Sequence, residues 1–318
     1  MKRLLRVLGA DGRKTRFVGG CVRDTLLGLE VSDIDLATQL RPDEVMARLG
    51  AARIKAVPTG IAHGTVTAVI AGRPVEVTTL RRDVATDGRR ATIAFTDDWR
   101  EDAARRDFTI NALSADPGDG QIFDYFDGVA DLEARRVRFI GDPLVRIAED
   151  HLRILRFFRF HARFGTGPPD PQALEACSSR ANDLMALSRE RIADELLKLL
   201  GLPDPSATVE LMIARGILKP VLPEIASAAP LAALVEAERR AGIAGAAVRR
   251  LAALLPADPD VAAGVAARMR LSKRQAKRLV SAAGRKLDTP EVLAYEVGAE
   301  EAVDRFLLAG EAGVDLKA

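Results

Sequence analysis

Short apolar runs, many of them β-branched, fill the first third of the chain and then give way to helix-spaced patterns. "TRFVG" (15–19) reads as a short strand stopped by glycines, and "VRDTLLG" (22–28) as a helix closed by Gly28. "DIDLAT" (33–38) alternates acidic with apolar residues, the pattern of a strand with one wet face. "PDEVMARLG" (42–50) has Pro near its first turn and Gly at its end, which predicts a helix. "GTVTAVI" (64–70) and "RPVEVTTL" (73–80) are β-branched runs joined by "AG", a hairpin signal. Residues 83–100, "DVATDGRRATIAFTDDWR", show no clear period and predict a long loop, of the kind that tends to be functional inside a compact domain. From about residue 102 the pattern is helical almost to the end, interrupted by the β-like "QIFDYF" (121–126). The expectation is an α+β fold: a mixed β-sheet with helices, then an all-helical remainder, with a boundary near residue 141.

Composition changes this picture little. At 318 residues the chain is long enough for about two domains, and 48% hydrophobic with 29% charged residues is the balance of an ordinary folded protein. The net charge of +2 averages over arginine clusters at 81–82, 89–90, 105–106, 135–138 and 153–163. Arg forks suit phosphate and base edges, so a polyanionic partner is expected; a genome rich in Arg and Ala codons explains the same counts. Cys21 and Cys177 are too few for a disulfide framework or a metal cluster. The N-terminus lacks a leader's apolar core and no apolar run reaches bilayer length, so the expected location is cytoplasmic.

The candidate chemistry lies in the first part. On a strand, Asp33 and Asp35 point to the same side and set two carboxylates together, with Ile34 and Leu36 behind them. Adjacent like charges need a cation, and hard oxygen ligands suit Mg²⁺. Gly19 and Gly20 let backbone approach a phosphate closely, and Arg23 offers it a fork, with Asp24 as the partner that orients Arg23. Glu76, within "VEVTT", reaches the same face from a neighbouring strand, or is simply an exposed strand acid. This is the layout of metal-assisted displacement at phosphorus; a lone D-x-D is otherwise a solvated strand edge. "RRDFTINAL" places Arg105 and Arg106 at the start of an amphipathic helix, with Phe108, Ile110 and Leu113 available to the core. "AEDHLRILRFFRFHARFG" reads as one helix: Arg153, Arg156 and Arg159 form a basic stripe, Asp150 lies beside it, and Leu152, Ile154, Leu155 and Phe158 face inward. Without further context that stripe is an RNA-backbone or solvated face.

Together, Gly19–Leu36, "ARRDFTINAL" (104–113), "IFDYFDGVADL" (122–132) and "EDHLRILRFFRF" (149–160) resemble, in order, the motifs of the class II tRNA nucleotidyltransferase and bacterial poly(A) polymerase family. The resemblance covers roughly residues 15 to 200. It implies a nucleotidyltransferase head over 1–141, a helical neck that selects nucleotide and binds RNA over 142–204, and a tRNA-binding body and tail over 205–318. It implies catalytic Asp33 and Asp35 with Mg²⁺ on both, and nucleotide contacts at Gly20, Arg23 and Arg106; Glu76 joins them as a third catalytic acid on the sheet-face reading above, and Asp107 is expected to brace Arg106. Asp124 and Asp131 take a structural or gating part in the hinge-like segment between head and neck. Asp150 and Arg153 become a protein template, with Arg156 and Arg159 adding contacts. Cytosine and adenine each show an amino donor beside a ring-nitrogen acceptor, which a carboxylate and an Arg complement; U and G show the reverse.

The implied activity is addition of CMP, CMP and AMP, from CTP and ATP, to the tRNA 3′ end with release of pyrophosphate. No membrane or obligate protein partner is expected. Within the family, "VPTGIAHGTVTAVI" stands where tail-adding enzymes carry a basic, aromatic stretch, and the loop at 83–100 is full length. Both features favour CCA addition over poly(A) or partial addition. His63 is read as a turn residue, and no pattern of an added phosphohydrolase appears. A non-catalytic RNA-binding protein on the same fold is the alternative from another class.

Overall fold

The computed structural model describes residues 1–86 and 91–310. By its internal contacts the chain forms two compact units, one of residues 1–150 with 166–173, the other of 151–165 with 174–318.

In the first unit, α1 (Lys2–Val7) leads into β1 (Thr15–Val18), α2 (Gly20–Leu26), β2 (Asp35–Thr38), α3 (Pro42–Ala51) and the strands β3 (Lys55–Gly60), β4 (Thr65–Ile70) and β5 (Arg73–Thr79). A separate two-stranded ladder, β6 (Arg81–Thr86) with β7 (Ala91–Phe95), precedes α4 (Trp99–Ala104). β8 (Ser114–Ala115), β9 (Ile122–Phe123), α5 (Gly128–Glu133) and α6 (Pro143–Glu149) complete the unit. The main sheet has seven strands in the order β3-β4-β5-β2-β1-β8-β9. It is mixed: β2 runs antiparallel to β1 and parallel to β5. The β4–β5 turn uses Ala71 and Gly72 at φ 50° and 78°, the left-handed pair that a tight hairpin requires.

One face of this sheet is apolar. Leu36, Val66, Ala68, Val75 and Val77 join Leu4 of α1, Leu8 just after it, and Val45 and Leu49 of α3 in one buried cluster. By the two-residue period the opposite face carries Asp35, Glu76, Thr65, Thr67 and Thr78, so the alternation of β2, β4 and β5 makes that side polar.

The second unit is helical: α7 (Arg153–Phe164), α9 (Arg189–Leu200), α10 (Ser206–Ala214), α11 (Ala229–Ala241), α12 (Ala247–Leu254), α13 (Pro259–Arg268), α14 (Lys273–Ala283), α15 (Pro290–Val297) and α16 (Ala299–Ala309). The remaining helix, α8 (Pro171–Ser179), contains the change of unit between 173 and 174. α7 buries Ile154, Leu155, Phe157, Phe158 and Phe160, as its amphipathic spacing dictates. Farther along, a buried ionic network joins several helices. Arg249 donates to Glu238 Oε1 (2.8 Å) and Asp304 Oδ1 (3.1 Å), and Arg250 to Glu238 Oε2 (2.9 Å) and Leu200 O (2.8 Å). Arg278 closes it with bonds of 2.6 and 2.8 Å to Asp304. Among the described residues no helix is long and apolar enough to cross a membrane.

Three local expectations are corrected. The stretch 83–100 is not an aperiodic loop: β6 and β7 pair antiparallel from Arg81↔Phe95 to Thr86↔Ala91, with a register shift between Asp83 and Ala85, and α4 begins at Trp99. That shift breaks the strict alternation by which a strand is recognised; residues 87–90 of the expected loop lie outside the described residues. Arg105 and Arg106 follow the end of α4 rather than opening a helix, and Phe108, Ile110 and Leu113 are buried on irregular chain around a short 3₁₀ turn, Thr109–Asn111. There Asp107 accepts from the Phe108 N–H (2.8 Å) and the Asn111 amide (2.9 Å), side-chain bonds that compete with helix. Finally, residues 148–165 are not one helix. α6 ends at Glu149, Asp150 is extended (φ −154°, ψ 105°), and α7 starts at Arg153.

Candidate active site

β1 delivers the chain to Gly19, whose φ of 70° and ψ of −124° turn it abruptly into α2. A side chain there would be strained in conformation and would also strike Arg106, whose Nη1 lies 2.8 Å from where a Cβ would stand. Gly19 therefore seats the Arg106 guanidinium. Gly20, the first residue of α2, is half-buried. Cys21 fixes the helix to the sheet, donating to Val18 O (3.3 Å) and Asp35 O (3.7 Å). Burial pushes the Cys21 thiol up and keeps it a donor.

Arg23 is only 6% exposed. Its Nε donates to Asp24 Oδ1 at 2.7 Å and its Nη1 to Asn111 Oδ1 at 2.5 Å, so Asp24 orients it as the sequence suggests. Asn111, in turn held by Asp107, is a member of this corner that motif reading did not single out; its signal was the spacing of four residues from Asp107. Arg106 is more open, with a fifth of its side chain exposed. Its brace is Asp102 (Nη2 to Oδ2, 3.3 Å) together with Asn111 O (3.3 Å), rather than the Asp107 expected from the sequence.

The acids gather on the polar face of the sheet. Asp35 opens β2 and pairs in register with Glu76 of β5, which sets the two residues about 4.8 Å apart across a parallel ladder. Asp33 is not on that strand: β2 begins only where β5 and β1 offer partners, and Asp33 sits exposed in the preceding connection, accepting from Ser32 Oγ (2.9 Å). The same-face strand argument for Asp33 and Asp35 therefore does not hold, although the two remain electrostatic neighbours. Burial raises the Asp35 carboxyl above the usual carboxylate range, Glu76 and Asp33 raise it further, and Arg106 opposes them.

Among the described residues no three His, Cys, Asp or Glu side chains form a ready-made metal cage. Magnesium needs none, since it is commonly held by one or two carboxylates with water and substrate phosphates completing the shell. Crowded carboxylates beside a half-buried one fit a divalent cation on that basis.

Opposite in sign is the group around Asp102, which faces Arg105 (2.9 Å), Arg106 (3.3 Å) and the backbone N–H of Arg81 (3.3 Å). Burial lowers the Arg81 guanidinium to about 10, with Arg105 and Arg106 adding to the effect against Asp102 and Asp83. An acidic group and a crowded cationic group thus share the head, an arrangement suited to a metal-bound triphosphate.

The remaining sequence-derived residues divide between the units. Asp150 falls at the end of the first, after α6, whereas Arg153, Arg156 and Arg159 lie half-buried on α7 in the second. Glu195 of α9, which sequence reading missed, is 4% exposed and binds Arg159 (2.6 Å) and Arg156 (3.6 Å), so part of the expected basic stripe is neutralised. Asp124 caps the start of α5 through the N–H groups of Gly128 and Val129, and Asp131 is fully buried against Thr109, Arg136 and Arg138.

Residues 15–138 match the family model for the poly A polymerase head domain, and 168–229 that for the probable RNA and SrmB-binding site of polymerase A. The chain is 44% identical over 203 residues to the human mitochondrial CCA tRNA nucleotidyltransferase 1, covering 63% of this chain and 46% of that protein. It is 40% identical over 216 residues to the CCA-adding enzyme of Levilactobacillus brevis, 67% of this chain and 53% of the relative. The chain thus spans about half the length of these curated relatives. The solved CCA-adding enzyme of Bacillus stearothermophilus in complex with CTP superposes with a TM-score of 0.78 at 28% identity, over 100% of this chain and 80% of that one. A Thermotoga maritima CCA-adding enzyme complexed with tRNA shares the fold (TM-score 0.71, 22% identity, 98% and 80% covered). With both matched regions in the order its motifs require, the chain belongs to the class II CCA-adding tRNA nucleotidyltransferase and bacterial poly(A) polymerase family.

Proposed function

We propose that this protein is a CCA-adding tRNA nucleotidyltransferase, acting in the cytoplasm, that transfers CMP, CMP and then AMP from CTP and ATP to the tRNA 3′ end. The observation that carries this reading is the in-register pair Asp35 and Glu76 on the open sheet face, with Arg106 seated on Gly19 close enough to oppose the rise of the Asp35 carboxyl. The names of the relatives and the CTP complex of the Bacillus enzyme favour the same substrates. Residues 1–141 serve as catalytic head, 142–204 as neck and 205–318 as tRNA-binding body and tail.

The tRNA 3′-hydroxyl oxygen bonds to the α-phosphorus as the bond from that phosphorus to the bridging β-phosphate oxygen breaks; the hydroxyl proton passes to solvent and pyrophosphate leaves. Asp33 and Asp35 would hold Mg²⁺, with Glu76 beside them; bound there, it supplies activation of the hydroxyl and neutralisation of the developing phosphate charge. Gly20, Arg23 and Arg106 hold the nucleotide, and Asp35 and Glu76 set the sign of the field at the reacting end. Asp150 accepts the amino hydrogen of C or A, and Arg153 donates to the neighbouring ring nitrogen. Arg156 and Arg159 add nucleotide contacts, kept in place on α7 by Glu195.

The test is incubation with tRNA lacking its 3′-terminal CCA, supplying CTP, ATP or both with Mg²⁺, followed by sequencing of the product. CC from CTP alone and CCA from both are the expected products, with chelation stopping both. Repeated A from ATP alone would make the protein a poly(A) polymerase, CC from both a partial adder, and no incorporation an RNA-binding protein.

A further inference from the structure

Asp102 has no place in the motifs, yet its carboxylate is 3% exposed and reaches in three directions. Oδ2 receives Arg106 Nη2 (3.3 Å), while Oδ1 receives Arg105 Nε (2.9 Å) and the N–H of Arg81 (3.3 Å), the first residue of β6. Arg106 is held on its other nitrogen by Asn111 O, at 3.3 Å, and can lie where it does only because Gly19 lacks a side chain. A planar guanidinium anchored at both ends of its fork has its direction fixed as well as its location. The same carboxylate, through Arg81, grips the root of the β6–β7 ladder.

We propose that Asp102 is a positioning residue: it aims Arg106 at the incoming nucleotide and ties that aim to the root of the β6–β7 ladder. The inference rests on the reading of Arg106 as a nucleotide contact. A plain brace between α4 and β6 would affect stability alone, and this is the rival role. With two guanidiniums and a backbone N–H on one carboxylate, losing its charge leaves Arg106 repelled by Arg105 and held only by Asn111 O.

The test measures CTP and ATP binding by titration calorimetry, with tRNA binding and thermal unfolding in parallel. Asp102→Asn keeps the side chain's shape and should weaken both nucleotides about tenfold, the scale of one lost charged hydrogen bond, while tRNA affinity stays put. In an Arg106→Lys background, where the planar fork is gone, adding Asp102→Asn should weaken CTP little further. Equal weakening in both backgrounds, or unchanged nucleotide binding with a lowered Tm, would overturn the proposal and leave the brace. Should Asp102→Asn fail to fold, Asp102→Glu keeps the charge and displaces it by a methylene; unchanged CTP binding in that variant would likewise overturn it. A wild-type protein that binds neither nucleotide sinks the nucleotide reading, and this role with it.

Discussion

The head and the helical unit both concentrate charge, but they arrange it differently. In the helical unit each buried acid meets its cations: Glu238 takes Arg249 and Arg250, and Asp304 takes Arg249 and Arg278. In the head, like charges gather: Asp33, Asp35 and Glu76 in one group, and in another Arg105 and Arg106 on Asp102, with the Arg81 guanidinium near enough to feel both arginines. Charges that satisfy one another hold helices together and leave nothing over for a ligand. Charges crowded with their like cost stability in the free protein, a cost that the cation and polyphosphate proposed above would relieve. The contrast separates groups that fold the chain from groups that are proposed to act on substrate.

Asp35 gives the sharpest break. A carboxyl raised above its unfolded value costs stability once ionised, so the cost is present above the folded pKa and absent below the unfolded one. In metal-free buffer at neutral pH, Asp35→Asn should therefore leave the unfolding midpoint unchanged or higher. Nucleotide incorporation should fall by about a thousandfold, because the loss of metal-borne charge stabilisation is worth several kcal/mol. A destabilised Asp35→Asn protein, or one with near-normal turnover at saturating Mg²⁺, would dissolve the contrast from the head side.

The complementary break is Glu238→Ala. Two nearly buried guanidiniums lose their shared acceptor, so urea unfolding should show a loss of about 3–5 kcal/mol. A change under 1 kcal/mol would mean that the network is dispensable to folding.

A smaller effect sharpens the comparison at Asp150. Asp150→Ala should relax discrimination against UTP and GTP by about tenfold for each charged hydrogen bond lost. The measurement is relative kcat/KM for the four nucleotides on tRNA primers ending at each step. If all four slow equally, Asp150 does not read the base.

The strands of the head's main sheet were legible because β-branched runs and the Ala71-Gly72 turn encode them locally, and the candidate site residues stood out because they sit in ordered motifs. Three features were not. The β6–β7 ladder hid behind a register shift, the helix expected to open at Arg105 and Arg106 gave way to irregular chain after α4, and Asp150 broke the helix drawn through it. In the last two cases the residue types are compatible with helix, and side-chain bonding or an extended backbone overrides that preference.

By itself the sequence determined which residues are chemically able to act and which strands and helices carry them, since propensity, periodicity and turn chemistry operate over a few neighbours. Only the tertiary structure decided that Asp35 stands in register with Glu76, that Gly19 seats Arg106, that Asp102 rather than Asp107 braces it, and that Glu195 restrains Arg156 and Arg159. Most of these pairings join residues dozens of positions apart. Asp102 lies four residues before Arg106 and Asp107 directly after it, and the choice between them falls to where α4 ends. Such partners are chosen by strand register and helix packing, which no local pattern along the chain records.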